Sequence, residues 1–264
     1  MKILRRVDWR LLAFGLLAYV AFLTLTFPAE RAYAYWKQQA GGRAPVALGG
    51  ISGSVWAGHA DQALINGQRL EALHWRLHPW ALFAGQVAAD WSLKVDDGYG
   101  RGEAAAGLGG AVSLDSLEAR LPLAQLPVKA LAALRPAGTL SLNLHDVKWD
   151  GTALVSASGR VVWNGAGINL FQALEFGDLS LTLETAADEV KGVLADAGGP
   201  LQAQGLLSLK PDGSYQFTGS FAARGQAPEL ARALRTLGRM GSDGKVHISQ
   251  KGTLAALGLV PRRP

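Results

Sequence analysis

The chain has five histidines, His59, His74, His78, His145 and His247, and no cysteine. Without a thiol, disulfides, thiolate nucleophiles and zinc-thiolate centres are excluded. His74 and His78 are the one close pair. Four apart on a helix they would share a face, as metal ligands do. They lie instead in an alternating, strand-like stretch that ends at Pro79, with no carboxylate in ligand spacing beside them, so no metal site is read. Ser52-Gly53-Ser54 is glycine-rich but lacks the lysine and helix start of a phosphate loop. No G-x-S-x-G elbow occurs. The carboxylate pairs Asp96-Asp97 and Asp188-Glu189 fall in turn sequences, where adjacent acids are solvated and form no acid/base couple. The expectation is a protein that is not an enzyme, with no catalytic residue, cofactor or metal. Aromatic side chains are the stronger lead. Trp56, Trp75, Trp80 and Trp91 lie close together in the first half of the chain. Indoles of this kind fill a core or anchor a partner interface.

The elements that must position them begin with Leu11 to Phe27, a stretch without charge or proline. Its 17 residues reach the lower end of what a bilayer span requires. Residues 1–10 carry four basic residues and one acidic residue, and this excess marks the N-terminal arm as cytoplasmic. A transmembrane anchor over 11–27 places the bulk of the chain beyond the membrane. Ala32-Tyr33-Ala34 also matches a signal-peptidase site, and cleavage after Ala34 is the alternative. Ala29 to Gln39 reads as a helical continuation with Tyr33, Tyr35 and Trp36 at headgroup level, followed by a Gly/Pro linker, so 28–50 is an interfacial helix and linker.

Beyond Gly50 the dominant period is two. Leu73, Trp75 and Leu77 alternate with polar residues, as do Val87 to Val95, Leu140 to Leu144, Leu179 to Leu183, Leu201 to Leu209 and Tyr215 to Phe221. Such alternation predicts half-buried antiparallel strands. After Leu144 the phase slips to Val147 and Trp149, which predicts a bulge near Asp146. Asn66-Gly67, Asp97-Gly98, Asp150-Gly151, Asn164-Gly165, Pro211-Asp212-Gly213 and Asp243-Gly244 supply tight turns. Helices are few: a short turn at Pro79 to Ala84, an interrupted helix over Pro122 to Leu134, and Pro228 to Leu237 with Leu230, Ala233, Leu234 and Leu237 on one face. The expected architecture is mainly β: one transmembrane helix, then an elongated antiparallel β domain, either a β-sandwich or a curved open sheet, with two or three short helices. A recurring Trp-x-Gly divides it into 51–135 and 136–264. The net charge of +5 is carried by the N-terminal arm and by Arg262 and Arg263. The interior is balanced, which excludes a nucleic-acid partner.

Gly50-Ile51-Ser52-Gly53-Ser54-Val55-Trp56-Ala57-Gly58-His59-Ala60, followed by Leu73-His74-Trp75-Arg76-Leu77-His78-Pro79-Trp80 through Gly85, resembles the opening motifs of the N component of type II (general) secretion systems, the GspN family. The Gly205 to Leu209 segment, the Pro211 to Tyr215 turn, the Pro228 helix and Asp243-Gly244 extend the resemblance to the C-terminal part. It marks Gly50, Gly53, Gly58 and Gly85 as motif glycines. It implies a single-pass protein of the bacterial inner membrane with a periplasmic β domain, without catalytic residues, that contacts the outer-membrane secretin or the inner-membrane platform. A β-groove that binds or passes lipid, as in AsmA-like and lipopolysaccharide-transport proteins, is the alternative.

Overall fold

The computed structural model describes residues 9–39, 46–65, 68–95, 97–107, 109–125, 135–151, 153–169, 172–187, 189–225 and 227–254. Helix α1 (Trp9–Leu25) coincides with most of the charge-free stretch, and Phe14, Leu17, Tyr19 and Phe22 stand exposed on it. At about 1.5 Å per residue its 17 residues reach only about 25 Å. Among the described residues, no helix is long and apolar enough to cross a membrane. The expected arm lies almost wholly outside the described residues.

Pro28 ends α1 and a second helix, α2 (Ala29–Gln39), starts at once. It runs along strand β1 (Val46–Gly53). Pro28 bridges to Ser54 at one end, and the Leu48 N–H donates to the Tyr33 hydroxyl at 2.9 Å further along. Part of the sheet's first edge is thereby covered by a helix.

The period-two segments become fourteen strands of a single antiparallel sheet. After β1 come β2 (Ala57–Ile65), β3 (Gln68–His78), β4 (Gln86–Val95), β5 (Gly98–Gly107), β6 (Val112–Pro122) and β7 (Pro136–Trp149). Then follow β8 (Leu154–Asn169), β9 (Ala173–Ala186), β10 (Glu189–Asp196), β11 (Leu201–Leu209), β12 (Ser214–Ala223), β13 (Arg239–Met240) and β14 (Val246–Thr253). Each strand pairs with the next, except that β14 inserts between β12 and the two-residue β13. The sheet continues through β6 and β7, paired from Val112↔Trp149 to Pro122↔Thr139.

Of the two architectures the alternation allowed, the structure is the open sheet. Two buried clusters form, each from neighbouring strands. Ala63, Leu70 and Val95 gather Leu48, Leu73, Leu93 and Leu121 at the β1–β6 end. At the other end Leu201, Ala203 and Val246 meet Leu230 and Leu234 of α3 (Pro228–Leu237). A sandwich would have drawn both halves into one core.

Irregularities in the strands keep the apolar side chains in phase. Gly50 and Ala72 have positive φ (65° and 48°) on the two strands flanking β2. This kink returns Leu48, Ala63 and Leu70 to the face that carries Leu73 and Leu93. Asp146 has φ 52°, and the β7–β8 register shifts between His145 and Lys148, which is the bulge the sequence predicts. Asn164-Gly165 differs from expectation: it lies inside β8, not in a hairpin. There the positive φ of Gly165 (58°) forms a bulge, and its N–H donates to Asp178 Oδ1 at 2.7 Å. The Asn-Gly pair supplies the backbone angle, and the surrounding pairing decides its use. Leu123–Gln125 is one 3-10 turn after β6, and the remainder of the helix expected up to Leu134 lies outside the described residues.

Asp196 pins the sheet at the α3 end. Its side chain is 7% exposed, pairs with Arg224, and accepts N–H bonds from Gly198 (3.0 Å) and Ala203 (2.9 Å). Burial works to raise its pKa. The Arg224 guanidinium and the two N–H groups outweigh burial and hold the carboxyl below its usual range. A depressed folded pKa contributes stability that is present above the unfolded value of about 3.9 and is lost as pH falls through the folded value. Asp196→Asn is expected to cost about 2 kcal/mol at neutral pH, measured by denaturant unfolding of the full chain in detergent. The gap to the parent should close under acid. Glu118, Glu189, Asp212 and Asp243 are also depressed and fall away in both proteins. An equal gap at all pH values would refute the assignment.

Candidate functional site

Directly opposed residues of an antiparallel ladder point to the same side, so each side of this sheet can be followed from strand to strand. One row runs Gly58, Trp75, Trp91, Gly102, Leu117 and Leu144. It continues through Gly159, Leu183, Gly192, Leu207 and Phe217. The row beside it contains Leu93, Gly100, Ala119, Leu142, Val161 and Leu181, then Leu194, Gly205, Gly219 and Ile248. Both rows are wholly apolar across at least ten strands. The large side chains in them are half-buried against one another.

Glycines are what let the rings lie flat on this face. A Cβ at Gly58 would stand 2.5 Å from Trp75 Cζ2, and one at Gly100 would stand 3.2 Å from Trp91. Phe217 covers Gly205 and Gly219 in the same way. Helix α3 covers the far end of the face through Leu230 and Leu234. Among the described residues, no second sheet covers the remainder.

The opposite side is polar from β2 to β9. His59, His74, Ser92, Arg101, Glu118, Asn143, Arg160 and Thr182 form its central row. Beyond β9 the same row meets exposed Val193 and Leu206. A groove of about 770 Å³ lies over β6–β9, lined by Tyr99, Glu118, Arg120, Asn143, Arg160 and Glu184 among others. Hydrogen bonds from Arg101 and Tyr99 hold the Glu118 carboxyl below its ordinary range, and the same carboxylate raises the Tyr99 phenol. Nearer β1, His78 meets two acids that the linear sequence hides. Its Nε2 is 3.1 Å from Asp90 Oδ2 and its Nδ1 is 4.0 Å from Glu103 Oε1. One ligand atom from each of the three lies within 4.8 Å of the others, so the trio could hold a divalent cation. The signal is cross-strand register: β3, β4 and β5 carry the three side by side.

The four sequence-singled tryptophans divide. Trp75 and Trp91 are directly paired and half-buried on the apolar face, and Trp75 Nε1 donates to the Val55 carbonyl at 3.0 Å. Trp56 is half-buried in the β1–β2 turn. Trp80 is 81% exposed on a 3-10 turn over Pro79–Ala84 and stacks on Phe83, itself 86% exposed. The motif glycines are structural. Gly53 (φ 87°) shapes the β1–β2 turn, Gly58 lies beneath Trp75, Gly50 sits at the kink against Asp61, and Gly85 (φ 71°) closes the 3-10 turn.

The sequence profile of the family described as "Type II secretion system (T2SS), protein N" matches residues 44–249, from the start of β1 into β14. The chain belongs to the type II secretion system protein N family. The family member of that name from Vibrio cholerae serotype O1 is 30% identical over 222 residues, covering 78% of this chain and 84% of its own. The Aeromonas hydrophila member is 25% identical over 249 residues, covering 92% and 97%. The Klebsiella pneumoniae member is 30% identical over 209 residues, covering 75% and 80%. No solved structure matches the chain. The family region thus contains both faces, the aromatic turn and the acid–histidine trio.

Proposed function

We propose that this chain is a non-enzymatic component of the type II secretion apparatus, anchored in the inner membrane by residues 11–27, with its sheet in the periplasm. Its task is contact with the secretin or with the inner-membrane platform, in support of the export of folded proteins. Family membership over residues 44–249, nearly the whole sheet, carries this reading. The basic arm and the bare apolar surface of α1 support the anchor. The outer edge of β14 supports the contact: β13 pairs only with Val246 and His247. Past them Ser249, Gln250 and Lys251 are exposed, and an added strand of a partner can hydrogen-bond to such an edge.

The uncovered apolar face favours a second reading, in which the sheet binds or passes acyl chains. Photocrosslinking in cells separates the two, with probes at Ser249 and Lys251 on the edge and at Leu144 and Leu183 on the apolar face. Edge adducts with the secretin or platform proteins are expected. Adducts confined to phospholipid or lipopolysaccharide, formed from the apolar face, would replace the connector by the lipid reading.

A further inference from the structure

We infer that the Pro79–Ala84 turn is a membrane-dipping tip, which inserts Trp80 and Phe83 among the lipid headgroups and upper acyl chains beside α1. The inference rests on the proposal that α1 is in the bilayer, and it adds a second, independent contact between the sheet and lipid.

Four observations converge. The first is distance along the chain. Only Thr26 separates the last residue of α1 from Phe27, whose carbonyl accepts the Val55 N–H at 3.0 Å. Pro28 then bridges to Ser54. No linker lets the sheet stand away from the end of α1, so the β1–β2 turn lies where that helix leaves the membrane. The second is neighbourhood. The Trp56 carbonyl of that turn accepts the Leu77 N–H at 2.6 Å, and Pro79 begins the 3-10 turn two residues later. The aromatic tip is therefore the next turn along the same end of the sheet.

The third is exposure. Trp80, Phe83 and Leu82 are 81%, 86% and 48% exposed, and Val87 beside them is 48% exposed. Large apolar groups left bare together mark an interaction site, and tryptophan is favoured at headgroup level. The fourth is charge. Along this end, the turns over residues 54–57, 79–85 and 107–111 contain no charged residue. The turns further from α1 carry Asp150 and then Lys210 with Asp212. The charge-free turns are those that the position of α1 holds closest to lipid.

The absence of cysteine makes the test direct. Phe83→Cys, Phe22→Cys in α1 and Lys210→Cys at a distant turn are each labelled with an environment-sensitive fluorophore. The full-length chain is then reconstituted in phosphatidylethanolamine/phosphatidylglycerol vesicles containing lipids spin-labelled near the headgroup or along the acyl chain. The expected result is loss of most emission at position 83 to the shallow spin label, loss at position 22 to the deep one, and none at position 210. Quenching at 22 with position 83 open to aqueous iodide would overturn the tip and leave the anchor standing. A position 83 shielded from both lipid and iodide would overturn it in favour of a protein partner. If neither 22 nor 83 is quenched, the anchor fails and the tip falls with it.

Discussion

Gly159→Ala is expected to lose more than about 3 kcal/mol of stability, enough to leave little folded protein. Gly159 sits at the centre of the sheet in β8, with φ 127° and Leu144 opposite it. A Cβ there would overlap the Asn143 carbonyl oxygen and stand 2.8 Å from Leu144 Cα. Both obstacles are backbone of the adjacent strand, which cannot rotate aside as a side chain can. Relief would require parting β7 from β8, two neighbouring strands at the middle of the sheet. Gly213→Ala is the control. That glycine also has positive φ (78°), but open space surrounds it in the β11–β12 turn. Its expected cost is only the backbone term, about 1 kcal/mol. Denaturant unfolding followed by tryptophan fluorescence would compare the two. Similar losses would mean that the close approach at Gly159 is not a constraint.

The second large effect is expected at Leu234. It is 7% exposed on α3 and packs with Leu230 on Leu201, Ala203 and Val246. Leu234→Ala removes buried methyl groups and leaves a cavity, at a cost of about 2–5 kcal/mol. Because α3 is the helix that closes this end of the apolar face, the loss should appear as early exposure of apolar surface, read by dye binding before the main unfolding transition. Arg235→Ala, on the exposed side of the same helix, should leave stability within about 0.5 kcal/mol of the parent. An equal effect of both substitutions would show that helix formation, and not packing on the sheet, holds α3 in place.

Much of this molecule is legible in its sequence because an alternating strand reports its own faces. Leu73-Trp75-Leu77 and Leu140-Leu142-Leu144 each fix which side chains travel together. The slip after Leu144 fixes the bulge at Asp146, since otherwise Val147 would turn to the polar side. Pro228 to Leu237 is a helix in both readings because its apolar residues repeat at helical spacing. The charge-free segment and the glycine–tryptophan motifs likewise needed no coordinates, and the motifs led to the family.

Alternation says which residues share a face, but not what that face meets. Whether the Leu, Trp and Phe side chains would oppose a second sheet or lie uncovered depended on strand order, and one unbroken fourteen-stranded sheet decided it. Register decided the rest. It brought His78, Asp90 and Glu103 together from three strands, and it turned Asn164-Gly165 from a hairpin signal into a bulge. It also separated Trp75 and Trp91, packed over glycines, from Trp80, bare on its 3-10 turn. The four indoles look alike in the sequence because local residue pattern contains no term for the neighbouring strand. Their difference comes from contacts across strands, which only the folded sheet creates.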